Sequence, residues 1–118
     1  MLLHRPLTLH THNAILIAAS PLLMIVPFVL SADPGVGFLT FFIGAFLLGV
    51  ALTSTSPRRP VPLSAHRGLE LALGISLILV GISGALIDGA SAVTIFLVGF
   101  GAAQIALTTA TRYTARGA

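Results

Sequence analysis

Cysteine is absent from the 118 residues, so disulfides, thiolate metal sites and thiol nucleophiles are excluded. Tryptophan is absent as well, and charge is scarce: charged residues make up 8% of the chain, against about 25% in an average soluble domain. With 56% of the residues hydrophobic, a soluble fold is excluded. The only acids are Asp33, Glu70 and Asp88. No second buried carboxylate is on hand for acid–base work, and neither a Ser/His/Asp arrangement nor a phosphate loop occurs. An enzyme is therefore not expected, and no cofactor is called for.

What is abundant is apolar sequence in helix-length runs. Crossing the hydrocarbon of a bilayer takes about 20 mostly apolar residues as helix, and stretches 14–32, 36–54, 68–87 and 90–109 qualify. The expected fold is all-α: a polytopic membrane four-helix bundle forming a single transmembrane domain over 1–118. The chain outside the four runs is too short for a globular domain beyond the membrane. Residues 1–13 are expected along the membrane interface, with Thr11 or Asn13 capping the first helix, and the first run is expected to be retained, since no clean Ala-x-Ala cleavage site follows it.

The positive charge is ordered by position. Arg5, Arg58, Arg59, Arg67, Arg112 and Arg116 fall on one side of the four-span arrangement, and Asp33 and Asp88 on the other. Because cytoplasmic flanks keep the positive residues, both termini are expected inside an inner (plasma) membrane. Anionic lipid accounts for the arginines, so a nucleic-acid partner is not expected.

The sequence also repeats. A shift of 55 positions lays Asp33 on Asp88, Phe41 on Phe96, Gly44 on Gly99 and Ala51-Leu52-Thr53 on Ala106-Leu107-Thr108, without a gap. This predicts two tandem helical hairpins, repeat one over 12–54 and repeat two over 65–111, joined by a proline-rich linker at 55–64. Because each repeat has an even number of helices, the two copies are expected to be parallel, not inverted. Ser64 is the expected N-cap of the third helix and Asp88 that of the fourth.

At about 100° per residue, Gly37, Gly44 and Ala51 form a stripe on the second helix, and the overlay gives Ala92, Gly99 and Ala106 on the fourth. Gly74, Gly81 and Gly84 make a similar stripe on the third. Small residues let membrane helices approach closely, so these faces are expected to meet in the middle of the bundle. Phe38, Phe42 and Phe46 then point outward, to lipid, to a partner subunit or to a pigment or quinone. Gln104, about 140° from Gly99, leaves the small face too: either it finds an intramolecular partner or it marks a second interface, implying self-association or a larger membrane complex.

Few residues offer chemistry. Glu70 lies near the start of the third helix on the Gly74/Gly81 face, where it either pairs with Arg67, Arg59 or Arg112 or couples to an ion, since intramembrane ionisable groups are functional candidates. His10-x-His12, with His4 and His66 on the same side, is a weak metal motif, and no metal site is assigned. Pro21 and Pro27 are expected to curve the first helix, with hydroxyls such as Ser20 re-satisfying the freed carbonyls. Asp33 and Asp88 read as turn-makers.

Four spans in this length are shared with the small multidrug-resistance exporters, but those need a glutamate in the first helix, where this chain has no acid. Ser20-Pro21, Ile43-Gly44 and the Ala51-Leu52-Thr53 ending resemble the small bacterial membrane proteins of SPW-repeat type, although Leu22 stands where that family has Trp and the second copy reads Ile75-Ser76-Leu77. Gly74-x-x-Leu77 with Gly81 is similar in the same degree to the acid-resistance membrane proteins with short hairpin repeats. Either resemblance implies a non-enzymatic membrane bundle and no catalytic residue. The function expected from the sequence is thus a structural or accessory membrane subunit; the alternative is a small-solute or ion transporter or channel using Glu70.

Overall fold

Thr8 opens the first helix. Its hydroxyl accepts a hydrogen bond from Thr11 N at 3.2 Å, satisfying one of the donors that a helix start leaves free. In the computed structural model, which describes residues 8–53 and 63–111, α1 runs Leu9–Val29, α2 Pro34–Thr53, α3 Leu63–Asp88 and α4 Ala92–Thr109. All four are long and apolar enough to cross a membrane. The shortest, α4 with 18 residues, spans about 27 Å at 1.5 Å per residue, close to the roughly 30 Å of bilayer hydrocarbon.

Several boundaries differ from expectation, each for a local reason. α1 starts at Leu9, ahead of the hydropathic run, because Thr8 caps it; Thr11 and Asn13 lie inside the helix. α3 starts at Leu63, which places Ser64 within its first turn and not at its cap. Ser91, not Asp88, caps α4, through a reciprocal capping box with Thr94. His4, the linker prolines and arginines, Arg112, Tyr113 and Arg116 lie outside the described residues.

α1 ends without a glycine. Ala32 N bonds Pro27 O at 2.8 Å and Ser31 N bonds Phe28 O at 3.1 Å, the paired bonds that close a helix through a left-handed residue. Here that residue is Ser31, with φ 63°. Asp33 accepts from Gly35 N at 3.0 Å and sets the turn into α2. At the other turn Gly89 takes the positive angle, φ 87°.

The helices pack as two antiparallel pairs. On α2, Gly37 faces the Phe28 ring and Gly44 faces Met24 and the backbone of Ser20, so the α2 stripe packs on α1. On α3, Gly74 meets Ile105, Gly101 and Gln104, and Gly81 meets Leu97 and Val98, so that stripe packs on α4 through these two, while a side chain at Gly84 would meet nothing within 4 Å. The small faces thus close each pair and do not meet in the middle of the bundle. Ala51 is buried, but Ala92, Gly99 and Ala106 are exposed, and a side chain at Gly99 would meet nothing within 4 Å. The buried face of α4 is Leu97, Gly101, Gln104 and Thr108. It turns by two residues from the overlaid stripe because Gly101 is what lets α4 reach α3: a Cβ there would stand 2.6 Å from Gly74 O.

Between the pairs the middle of the bundle is apolar. Leu23 from α1, Ile43 and Leu47 from α2, Leu77 from α3 and Leu97 from α4 form one buried cluster. The pairs touch each other less extensively than the helices do within each pair. Ser20 is buried with no hydrogen bond to its Oγ, so it does not satisfy the carbonyls freed by Pro21 and Pro27.

Candidate functional site

Both ends of the bundle are polar, and they differ in kind. The turns between α1 and α2 and between α3 and α4 form an aspartate end, where a cleft of about 230 Å³ is lined by Ser31, Asp33, Val80, Gly84, Asp88 and Thr94 among others. Asp33 and Asp88 are exposed there. At the opposite end, polar side chains are sealed inside: His12, Asn13, His66, Glu70, Gln104, Thr108 and Thr111 are all at most 2% exposed.

Helix geometry assembles this histidine end. Because α1 is already helical at Leu9, His12 falls on the same inward face as Leu16 and Leu23. His10, two residues earlier and thus about 200° round the helix, is exposed, so His10-x-His12 does not converge on one point. On α3, His66 and Glu70 are four apart and share a face. Thr108, in the last turn of α4, and Thr111, just past its C-cap Ala110, face them.

Glu70 is the hub. His12 Nε2 contacts Glu70 Oε1, His66 Nε2 contacts Oε2 at 2.6 Å, and Thr108 Oγ1 donates to Oε1 at 3.5 Å. The ring of His12 continues through Nδ1 to Thr111 Oγ1 at 2.9 Å. His12 belongs to the first helical pair and its partners to the second, so this side chain ties the pairs together. Of the arginines expected to pair with Glu70, Arg67 has a buried Nε without a hydrogen bond, and Arg59 and Arg112 lie outside the described residues.

The hydrogen bonds around His12 constrain where the protons sit. Thr111 Oγ1 has one hydrogen and gives it to Leu107 O at 2.7 Å. If that hydrogen stays on Leu107 O, His12 Nδ1 donates to Thr111, which leaves Nε2 two options. It carries a second proton and donates to a carboxylate, or it accepts from a carboxylic acid. In both, the His12–Glu70 pair holds one proton between Nε2 and Oε1 and is neutral overall. A neutral pair is the arrangement that low-dielectric burial tolerates; removing the shared proton would leave a fully buried carboxylate without a countercharge.

Each imidazole engages a different carboxylate oxygen, and among the described residues no group of three histidine, aspartate or glutamate side chains is arranged to hold a metal ion. The remaining expectations divide. Phe38, Phe42 and Phe46 are exposed at 60%, 67% and 49%, on the outer surface of α2. Gln104 is 2% exposed, and its Cγ would lie 3.2 Å from a Cβ on Gly74. It is not on the lipid or partner face, because the face from which it was measured, that of Gly99, points outward. No protein-family model matches the chain, and no curated protein or solved structure matches it either.

Proposed function

We propose that this multi-pass membrane protein is a small transporter or channel for ions or solutes, coupled to protons through Glu70, and not an enzyme. One observation carries the reading: a fully buried carboxylate has an imidazole against each oxygen. A structural bundle has no need of an acid at this depth, since replacing buried ionic groups by apolar ones is often neutral or stabilising by about 1–4 kcal/mol. Intramembrane acids with histidine neighbours are the parts from which proton relays are built.

In this reading the apolar cluster of Leu23, Leu47, Leu77 and Leu97 separates the histidine end from the aspartate cleft. Transport then requires the two helical pairs to shift against one another, and His12, bridging the pairs, senses the protonation of Glu70. We also infer that the pairs descend from a duplicated hairpin, that both termini are cytoplasmic and that the membrane is a bacterial inner membrane; the charge asymmetry and the SPW-type resemblance support these inferences. The test is proton and cation flux in liposomes carrying the purified chain. Flux that disappears in Glu70→Gln and falls in His12→Leu is expected; wild-type liposomes no leakier than empty ones would refute the reading.

A second reading, an accessory subunit or homo-oligomer, is favoured by the exposed Phe38, Phe42 and Phe46 stripe. Gln104, turned inward, no longer supports it. Extraction in mild detergent separates the two: co-purifying subunits lost in Phe42→Ala would favour the accessory role.

A further inference from the structure

The α3/α4 seam stacks its contacts in register. Thr108 reaches Glu70, and one turn deeper Gln104 lies against Gly74. Deeper again, Gly101 closes on Gly74 and Ile78, and Leu97 on Gly81. Gln104 is therefore the polar group next below Glu70 on the same seam, with the missing side chain of Gly74 giving it room. Its Nε2 is buried and has no hydrogen-bond partner among the described residues. At 2% exposure it is not offered to lipid or to another subunit. One residue after His12, Asn13 is buried to the same degree, with neither amide atom bonded.

Buried amides in native proteins are satisfied by protein or by bound water, and a buried water is held by about two to four polar partners. We propose that Gln104 and Asn13 hold bound water, and that the water on Gln104 extends the Glu70 site one turn deeper along the α3/α4 seam. Water accepting from Gln104 Nε2 has both hydrogens free to donate toward Glu70 and Thr108. It supplies a path by which the proton shared with His12 exchanges without separating the helices. Below Gln104 the seam turns apolar, so the water stops there, and the site is wet from the histidine end only.

The inference takes its functional meaning from the proton-coupled reading, yet hydration is measured independently of flux. Water-edited solid-state NMR on the full chain in lipid bilayers reads the rate at which water magnetisation reaches each side chain. The side-chain amide protons of Gln104 and Asn13 are expected to build up several-fold faster than the methyls of Leu77 and Leu97. Gln104→Leu is expected to slow build-up at the Glu70 carboxyl several-fold while the signals of Gly81 and Leu97 stay in place. Build-up at Gln104 in the unaltered chain no faster than at Leu97 overturns the proposal, whatever the variant does. Flux with a dry Gln104 would leave the transport reading standing without this water, and a hydrated Gln104 without flux would do the reverse.

Discussion

Replacing His12 by leucine removes one partner from a buried pair and leaves the other in place. Both side chains are fully buried, so solvent does not screen the loss. Breaking such a pair from one side costs about 3–5 kcal/mol. Little is added elsewhere, because Thr111 keeps its bond to Leu107 O and leucine fills much of the ring's volume. In a Glu70→Gln background the same change uncovers only a neutral amide, at about 1–3 kcal/mol. A double-mutant cycle should therefore return a coupling of about 2 kcal/mol between the two positions. The assay is reversible unfolding of the full chain in mixed micelles by SDS titration, with helicity as the signal. The loss should also show as weaker association between the two helical pairs, since His12 is on one and Glu70 on the other. A coupling below about 0.5 kcal/mol would refute the claim that a shared proton on this contact holds the pairs together.

The packing makes two further demands. Gly101→Ala puts a Cβ 2.6 Å from Gly74 O, a backbone atom that moves only if α3 and α4 separate; the cost should be about 1–3 kcal/mol, whereas Gly99→Ala, with open space around it, should stay within about 0.5 kcal/mol. The same SDS titration reads both, and equal effects would contradict the rotated face of α4. At the end of α1, Ser31→Gly relieves a left-handed serine and should raise stability by about 1 kcal/mol; no gain would mean that the serine hydroxyl compensates for its backbone angle.

Hydropathy made the four helices legible because a bilayer admits little else of that length and composition. It concealed the site for the same reason. A window that seeks apolar residues trims polar helix ends, so residues 1–13 read as interface and the third run began at Gly68, and His12 and His66 read only as part of a weak metal motif. Had α1 been extended to Leu9, the spacing His12, Leu16, Leu23 would have put the histidine inside, as His66 and Glu70 at four apart do on α3. Gln104 was lost differently. Its angle from Gly99 was right, but the stripe used as the inward reference was copied from α2 by overlay, and α4 packs through Gly101 instead. The sequence overlay transfers helix order and length well, because these are set by the bilayer and the turns. It transfers the packing face poorly, because which glycine carries the close approach depends on the partner helix. The positions where the two halves part, Gln104 over Gly49 and Glu70 over Ile15, are the ones that the second half turns inward and makes polar. Departures from the 55-residue overlay, more than the matches under it, mark where the chain differs from a plain bundle.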